Sequence, residues 1–329
     1  MFTLSNLLRF VLAAALVAAS GVLLFSHSSC PCDVEATRNW TQAHPGIRSP
    51  GMATAARKDD DDDLAELLRK AAMEDNTIIM TFTNEAWTAP GSLLDLFLES
   101  FRVGDKTERL LKHLVIVTVD GKAFEQCQRV HPLCYSFDAG GGMNLTKEQE
   151  FMSGDYLEMM WARNRFQNHV LELGFSFVFT DVDIVWFRNP LLRIPVGADI
   201  AISADRFGGD DPYDVWKQTN GGFVSARSNT RTLAFFKVWH EARKAYPGQN
   251  EQDVFEKVKH ELSTRVGAAV HFVDTAHFGG FCEPKKDFRQ LCTFHGNCVK
   301  GLKWKLEKLQ GVMDEWKQFK DARDRPKNK

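Results

Sequence analysis

Apolar residues along this chain fall into short continuous runs separated by stretches of helical period. Ile78-Ile79-Met80-Thr81-Phe82 is a run of strand length, as expected for a strand buried on both faces. Ser92 to Val103 follows with helical spacing. Leu114 to Val119 reads as a second strand, rich in Val and Ile. Gly154 to Leu173 reads as a long helix, Phe175 to Phe179 as a third strand and Asp199 to Ala204 as a fourth. Phe223 to Ala226 and Thr230 to Tyr246 form a further strand–helix pair. Asp253 to Leu262 is helical in pattern, Val270 to Asp274 is a late strand, and Gly301 to Lys320 is a closing helix. Such alternation predicts an α/β fold, Rossmann-like, with a mostly parallel central sheet flanked by helices. Ligands of such sheets bind beyond the carboxyl ends of the strands, so the chemistry is expected just after strands one, three and four.

The pattern differs at the N-terminus. Leu7 to Phe25 is apolar apart from Arg9, Ser20 and Gly21. Its length lies between the roughly 7–15 residues of a signal-peptide core and the about 20 of a full span. Arg9 lies on its N-terminal side, and Asp33 and Glu35 follow, a bias that keeps the N-terminus cytosolic. With no clean cleavage site after Phe25, an uncleaved signal anchor is preferred to a cleaved signal peptide. The predicted layout is a cytosolic tail (1–6), a transmembrane signal anchor (7–25), a luminal stalk (26–72), a globular domain (73–320) and a basic tail (321–329). The stalk reading rests on scattered Pro and Gly and on the acidic run Asp59 to Asp63, which suits a solvated linker better than a calcium site.

Composition narrows the function classes. Net charge is −2, so no broad basic field recruits nucleic acid. The seven cysteines include no CxxC pair, which argues against a zinc ribbon. In a secretory lumen, disulfides become plausible: Cys127 with Cys134, and two of Cys282, Cys292 and Cys298, with free buried thiols as the alternative. The sequons at Asn39 and Asn144 count only in that compartment.

The most informative stretch is Phe175 to Phe187, where an apolar strand runs into Asp181-Val182-Asp183. In extended chain, residues two apart share a face, so both carboxylates are expected to point one way and Val182 inward. Two such carboxylates repel unless a cation lies beside them, and hard divalent cations favour oxygen ligands. A reading without metal needs a basic partner for each Asp.

Five motifs occur in order: Thr83-Asn84-Glu85-Ala86-Trp87, Val178 through Pro190 around the acidic pair, Asn220-Gly221-Gly222-Phe223, Gln252-Asp253-Val254-Phe255, and Phe278-Gly279-Gly280-Phe281-Cys282. Together they resemble the plant nucleotide-diphospho-sugar transferase domain of glycosyltransferase family seventy-seven, over roughly Asn76 to Asp314. The resemblance implies a GT-A fold, a UDP-sugar donor, Mn²⁺ and retention of anomeric configuration. It implies transfer of arabinose, xylose or galactose to a cell-wall polysaccharide or hydroxyproline-rich glycoprotein, at the Golgi membrane with the catalytic domain luminal. It leaves room for a Golgi enzyme complex as partner. Many relatives carry Ala where Val182 stands, with little expected effect because that position points inward.

By the same resemblance, Asp183 is expected to coordinate Mn²⁺ directly. Asp181 is expected to hold the ribose or coordinate through water, and His295 to be the third ligand, its alternative being a structural His. Thr83 and Asn84 are expected where base and ribose dock, although Asn84 also suits a helix cap. Arg163 is expected to reach the diphosphate unless it lies on the surface. Asp205 is expected to bind donor-sugar hydroxyls. Asn220, Gly221 and Gly222 permit close backbone approach to the donor, or else form a turn. Gln252 and Asp253 are expected near the anomeric carbon, with Asp253 as nucleophile, acceptor-orienting group or helix N-cap. Front-face attack is the alternative mechanism. The rival readings are a non-catalytic Golgi scaffold with the same fold and an Asp-based phosphohydrolase of the haloacid dehalogenase type.

Overall fold

Strand β1 (Thr77–Thr83) lies inside the sheet because neither of its faces is left for water. Ile78 and Met80 pack into one hydrophobic cluster and Ile79 into the other. The computed structural model describes residues 54–138 and 152–325. Strands β2 (Leu114–Thr118) and β4 (Ser176–Thr180) flank β1 in parallel, and β3 (Cys134–Ser136) adds to β2, also in parallel. On the far side of β4, strand β7 (Thr219–Ala226) is antiparallel to both β4 and β6 (Ile200–Ala204), and β8 (Val270–Val273) returns parallel to β6. The order is β3-β2-β1-β4-β7-β6-β8. This is the expected mostly parallel sheet, with β7 reversed. Phe177 and Phe179 of β4 face one cluster and Val178 the other, so this strand too is covered on both faces.

A second sheet of three strands joins β5 (Ile184–Trp186), β10 (Thr293–His295) and β9 (Phe278–Gly280) in the order β5-β10-β9. The helices are α1 (Thr54–Ala71), α2 (Glu85–Thr88), α3 (Leu93–Val103), α4 (Gly121–Val130), α5 (Gly154–Glu172), α6 (Thr230–Ala242), α7 (Glu251–Val266) and α8 (Leu302–Asp324). Helix α7 starts at an Asn250 cap, whose side chain accepts from the Asp253 N–H, and ends at Gly267 in the left-handed region, φ 69°. That glycine fits because a Cβ is unfavourable there.

Several expectations change. The stalk does not extend to residue 72: residues 54–71 form α1, and Leu64, Leu68 and Ala71, spaced four and three apart, are buried in the core. Propensity and charge suggested a solvated linker, but the apolar stripe of this segment docks on the domain. Leu68→Ala should therefore cost about 2–5 kcal/mol, read as a lowered denaturation midpoint. A solvated linker would show no change. Residues 321–324 likewise belong to α8 rather than to a tail, with Arg323 paired to Asp105. The strand read from Phe223 begins at Thr219, which puts Asn220-Gly221-Gly222 inside β7 rather than in a turn.

Cys127 pairs with Cys134 and Cys282 with Cys298, leaving Cys292 as a buried thiol. The proposed anchor, Cys30, Cys32 and both sequons lie outside the described residues. Among the described residues, no helix is long and apolar enough to cross a membrane.

Candidate active site

The acidic pair sits where the two sheets meet. β4 ends at Thr180 and β5 starts at Ile184, so Asp181-Val182-Asp183 is the whole connection. The chain does not stay extended there. Ile184 N–H donates to the Asp181 carbonyl at 3.1 Å, closing a turn. The expected period-two alignment is therefore not what brings the carboxylates together. Val182 is buried as expected, and the turn carries both Asp side chains to one side, facing β10.

Register supplies the third group. β10 pairs antiparallel with β5, and His295 lies opposite Ile184, one residue from Asp183. The Gly296 N–H donates to the Asp183 carbonyl at 2.9 Å and fixes this alignment. His295 Nε2 then stands 3.2 Å from Asp183 Oδ1 and 3.7 Å from Asp181 Oδ2. One ligand atom from each of the three residues fits within 4.8 Å of the others. Two carboxylate oxygens and an imidazole nitrogen suit a divalent ion such as Mn²⁺ or Mg²⁺, with imidazole favouring the transition metal. The residues thus fit the implied metal.

Space for this convergence comes from β7. The Asp181 N–H donates to the Gly222 carbonyl at 2.7 Å, which holds the strand against the pair. A Cβ at residue 222 would lie 2.3 Å from His295 Cε1 and 2.9 Å from Asp181 Oδ2. Gly222 is therefore required for room and not for backbone conformation.

Each carboxylate also has the basic partner that a metal-free reading demanded. Arg163, buried on α5, donates to Asp181 Oδ1 at 3.1 Å and reaches Glu251 on α7 with its other arm. Its guanidinium lies 4.7 Å from the centre of the Phe179 ring. Arg163 is thus neither on the surface nor free for the diphosphate, because both arms are engaged by carboxylates. Lys305, in the first turn of α8, pairs with Asp183 Oδ2 and donates to the Gly296 carbonyl at 3.1 Å. Burial pushes Asp181 above its usual pKa, with Arg163 opposing. Burial also acts to raise Asp183, but Lys305 and then His295 outweigh it and hold that carboxyl far below the usual range. Charge repulsion alone therefore does not demand a metal. The imidazole converging on the same two carboxylates is the stronger indication.

The remaining expected residues surround this centre unevenly. Asp205, just past β6, accepts from Asn220 Nδ2 at 2.8 Å and Asn297 Nδ2 at 2.9 Å, so two amides orient it. Asn220 Oδ1 in turn accepts from the Gly222 N–H. The Gly221 N–H donates to Gln252 Oε1 at 2.8 Å, tying β7 to the start of α7. Asp253 is half-buried beside Gln252, and burial followed by the nearby Glu251 raises its pKa. Asp253 is not the N-cap, since Asn250 fills that place. Asn84 caps α2 by accepting from the Trp87 N–H at 3.2 Å, the alternative its position allowed. The Thr83 hydroxyl is buried at the end of β1 with no hydrogen-bond partner among the described residues.

Four residues of this region were not singled out from the sequence: Lys305, Glu251, Tyr156 and Asn297. Tyr156 on α5 has its pKa raised by burial and then by Glu251, with Asp181 and Asp253 also acting on it. A lysine in the first turn of a helix opposes the helix dipole, and that was the one available signal for Lys305.

A family model described as nucleotide-diphospho-sugar transferase matches residues 109–309, which include the acidic pair, Gly222, Gln252, Asp253, His295 and Lys305. The uncharacterized protein At4g15970 of Arabidopsis thaliana is 39% identical over 271 residues, 82% of this chain and 71% of the relative. Arabinosyltransferase XEG113 of the same plant is 28% identical over 201 residues, 56% of this chain but 29% of that longer protein. A glycosyltransferase involved in the glycosylation of the major capsid of PBCV-1 superimposes with a TM-score of 0.42 at 12% identity, covering 71% of this chain and 98% of that one. With the family match spanning most of the chain and carrying the converging acidic pair and histidine, this protein belongs to the nucleotide-diphospho-sugar transferase family.

Proposed function

We propose that the chain is a retaining, Mn²⁺-dependent glycosyltransferase of GT-A type, using a UDP-linked pentose or hexose of the arabinose, xylose or galactose class. The acceptor is a cell-wall glycan or hydroxyproline-rich glycoprotein. The observation that carries this reading is the meeting of Asp181, Asp183 and His295 at the carboxyl end of β4, against a strand that has glycine where any side chain would collide. Named arabinosyltransferases among the relatives support the sugar class.

In this reading Asp181, Asp183 and His295 would hold the ion, which would supply Lewis-acid stabilisation of the departing nucleotide. The chain's own groups do the rest. Asp205, oriented by Asn220 and Asn297, accepts hydrogen bonds from donor-sugar hydroxyls. Gly221 lets the sugar approach the β7 backbone, and Gln252 is held toward it by the Gly221 N–H. Asp253, with its pKa raised, stands beside Gln252 where positive charge at the anomeric carbon or an acceptor hydroxyl would favour its charged form. Residues 7–25 anchor the chain in the Golgi membrane with the domain luminal.

A panel of UDP-sugars incubated with the full-length protein and Mn²⁺, with no acceptor, tests the reading. Slow release of UDP from one donor marks an enzyme, and no release from any donor favours the scaffold alternative.

A further inference from the structure

Lys305 occupies a place that a metal centre does not ordinarily give to a cation. Asp183 is almost wholly buried, with its side chain 2% exposed. One of its oxygens faces His295 and the other is taken by the Lys305 ammonium. Lys305 is held there from two sides, by Asp183 and by the Gly296 carbonyl, next to the residue that aligns His295. Around the pair, Arg163 and Lys305 face three carboxylates, Asp181, Asp183 and Glu251, so the chain offsets much of the negative charge of its own acidic centre. Arg163 is fixed on both arms by Asp181 and Glu251. Lys305 extends on a flexible stem from the exposed first turn of α8 and retains partial solvent access.

We propose that Lys305 is a built-in rival of the metal: its ammonium holds Asp183 when no ion is bound, weakens ion binding by like-charge repulsion, and so sets the metal affinity of the empty site. The inference rests on the metal-binding reading above. Like charges about 4 Å apart differ in energy enough to change affinity severalfold, even in well-solvated surroundings. A positioning residue that only shaped the loop would weaken metal binding when removed. A rival cation has the opposite sign, because its removal strengthens binding.

The test is Mn²⁺ affinity of the nucleotide-free protein, read by electron paramagnetic resonance of free Mn²⁺, for wild type, Lys305→Met and Lys305→Arg. Methionine keeps most of the length and loses the charge, while arginine keeps the charge. The expected result is that Lys305→Met binds Mn²⁺ about fivefold or more tightly than wild type, and that Lys305→Arg stays within about twofold of it. Equal or weaker binding by Lys305→Met, with Lys305→Arg like wild type, overturns the inference while leaving the metal site standing. If Lys305→Met fails to fold, Lys305→Arg decides together with ionic strength. A rival charge at the site makes Mn²⁺ binding to both foldable proteins equally salt-dependent, and a tenfold difference between them contradicts it. Absence of Mn²⁺ binding by wild type instead removes the proposed metal dependence itself.

Discussion

Gly222→Ala should reduce Mn²⁺-dependent UDP binding by more than about tenfold, while Gly221→Ala, one residue away, stays near wild type. The contrast follows from where each added methyl would go. At residue 222 it would lie 2.3 Å from His295 Cε1, 2.9 Å from Asp181 Oδ2 and 3.0 Å from Asn220 Oδ1. At residue 221 the nearest atom is Gln252 Oε1 at 3.5 Å, an ordinary contact. The imidazole cannot yield without leaving the acidic pair, because its backbone is fixed by pairing with β5. Overpacking of this kind costs about 1–3 kcal/mol when neighbours must move, and here two of the three neighbours belong to the proposed metal site. Isothermal titration of UDP with Mn²⁺ present measures it. Equal affinity for both variants would show that the space beside Gly222 is not what assembles the centre.

Arg163→Met should have the largest effect on stability, a loss of about 3–5 kcal/mol in urea denaturation. Arg163 is buried and bridges Asp181 on one side and Glu251 on the other, with Phe179 beneath its guanidinium. Removing it leaves two carboxylates facing each other's field with no cation between them. The cost lies mostly in those abandoned charges, so it is reversible by design. Glu251→Gln added to Arg163→Met should recover part of the loss, since the two changes act on one network. Lysine is a poor replacement because a single ammonium cannot serve both carboxylates with the fork geometry of the guanidinium. A simple sum of the two single effects would show that the bridge is not the source of the stability.

The parts of the fold written in period and run length were legible in the sequence. Ile78–Phe82, Leu114–Val119 and Phe175–Phe179 are buried on both faces, and such strands announce themselves as continuous apolar runs. Elements whose pattern is short or mixed were not. β5, β9 and β10 are three residues each, and they pair only because distant segments meet. α1 was hidden behind its acidic run, since charge on the solvent face masks an apolar stripe as sparse as Leu64, Leu68 and Ala71. At the site, residue types and their place after an apolar strand pointed to Asp181 and Asp183, and the family resemblance to His295, whereas the turn that aligns the two carboxylates was not readable from spacing. The basic partners were harder still. Arg163 was expected to face a phosphate and instead holds two carboxylates, and Lys305 lies 122 residues from the carboxylate it meets. Pairings of that separation are made by tertiary packing of α5 and α8 and leave no local trace.

The most direct test of the proposed nucleotide-sugar site is calorimetric titration of UDP into the protein, with and without Mn²⁺, for wild type and Asp183→Asn. Asp183 is touched by both His295 and Lys305, so its loss as an anion should disrupt the proposed centre and take from Lys305 the counter-charge of Asp183. The expected result is UDP binding that requires Mn²⁺ in wild type and disappears in Asp183→Asn. Equal UDP binding by the two proteins, with or without the ion, would contradict a metal-dependent nucleotide-sugar site at the end of β4.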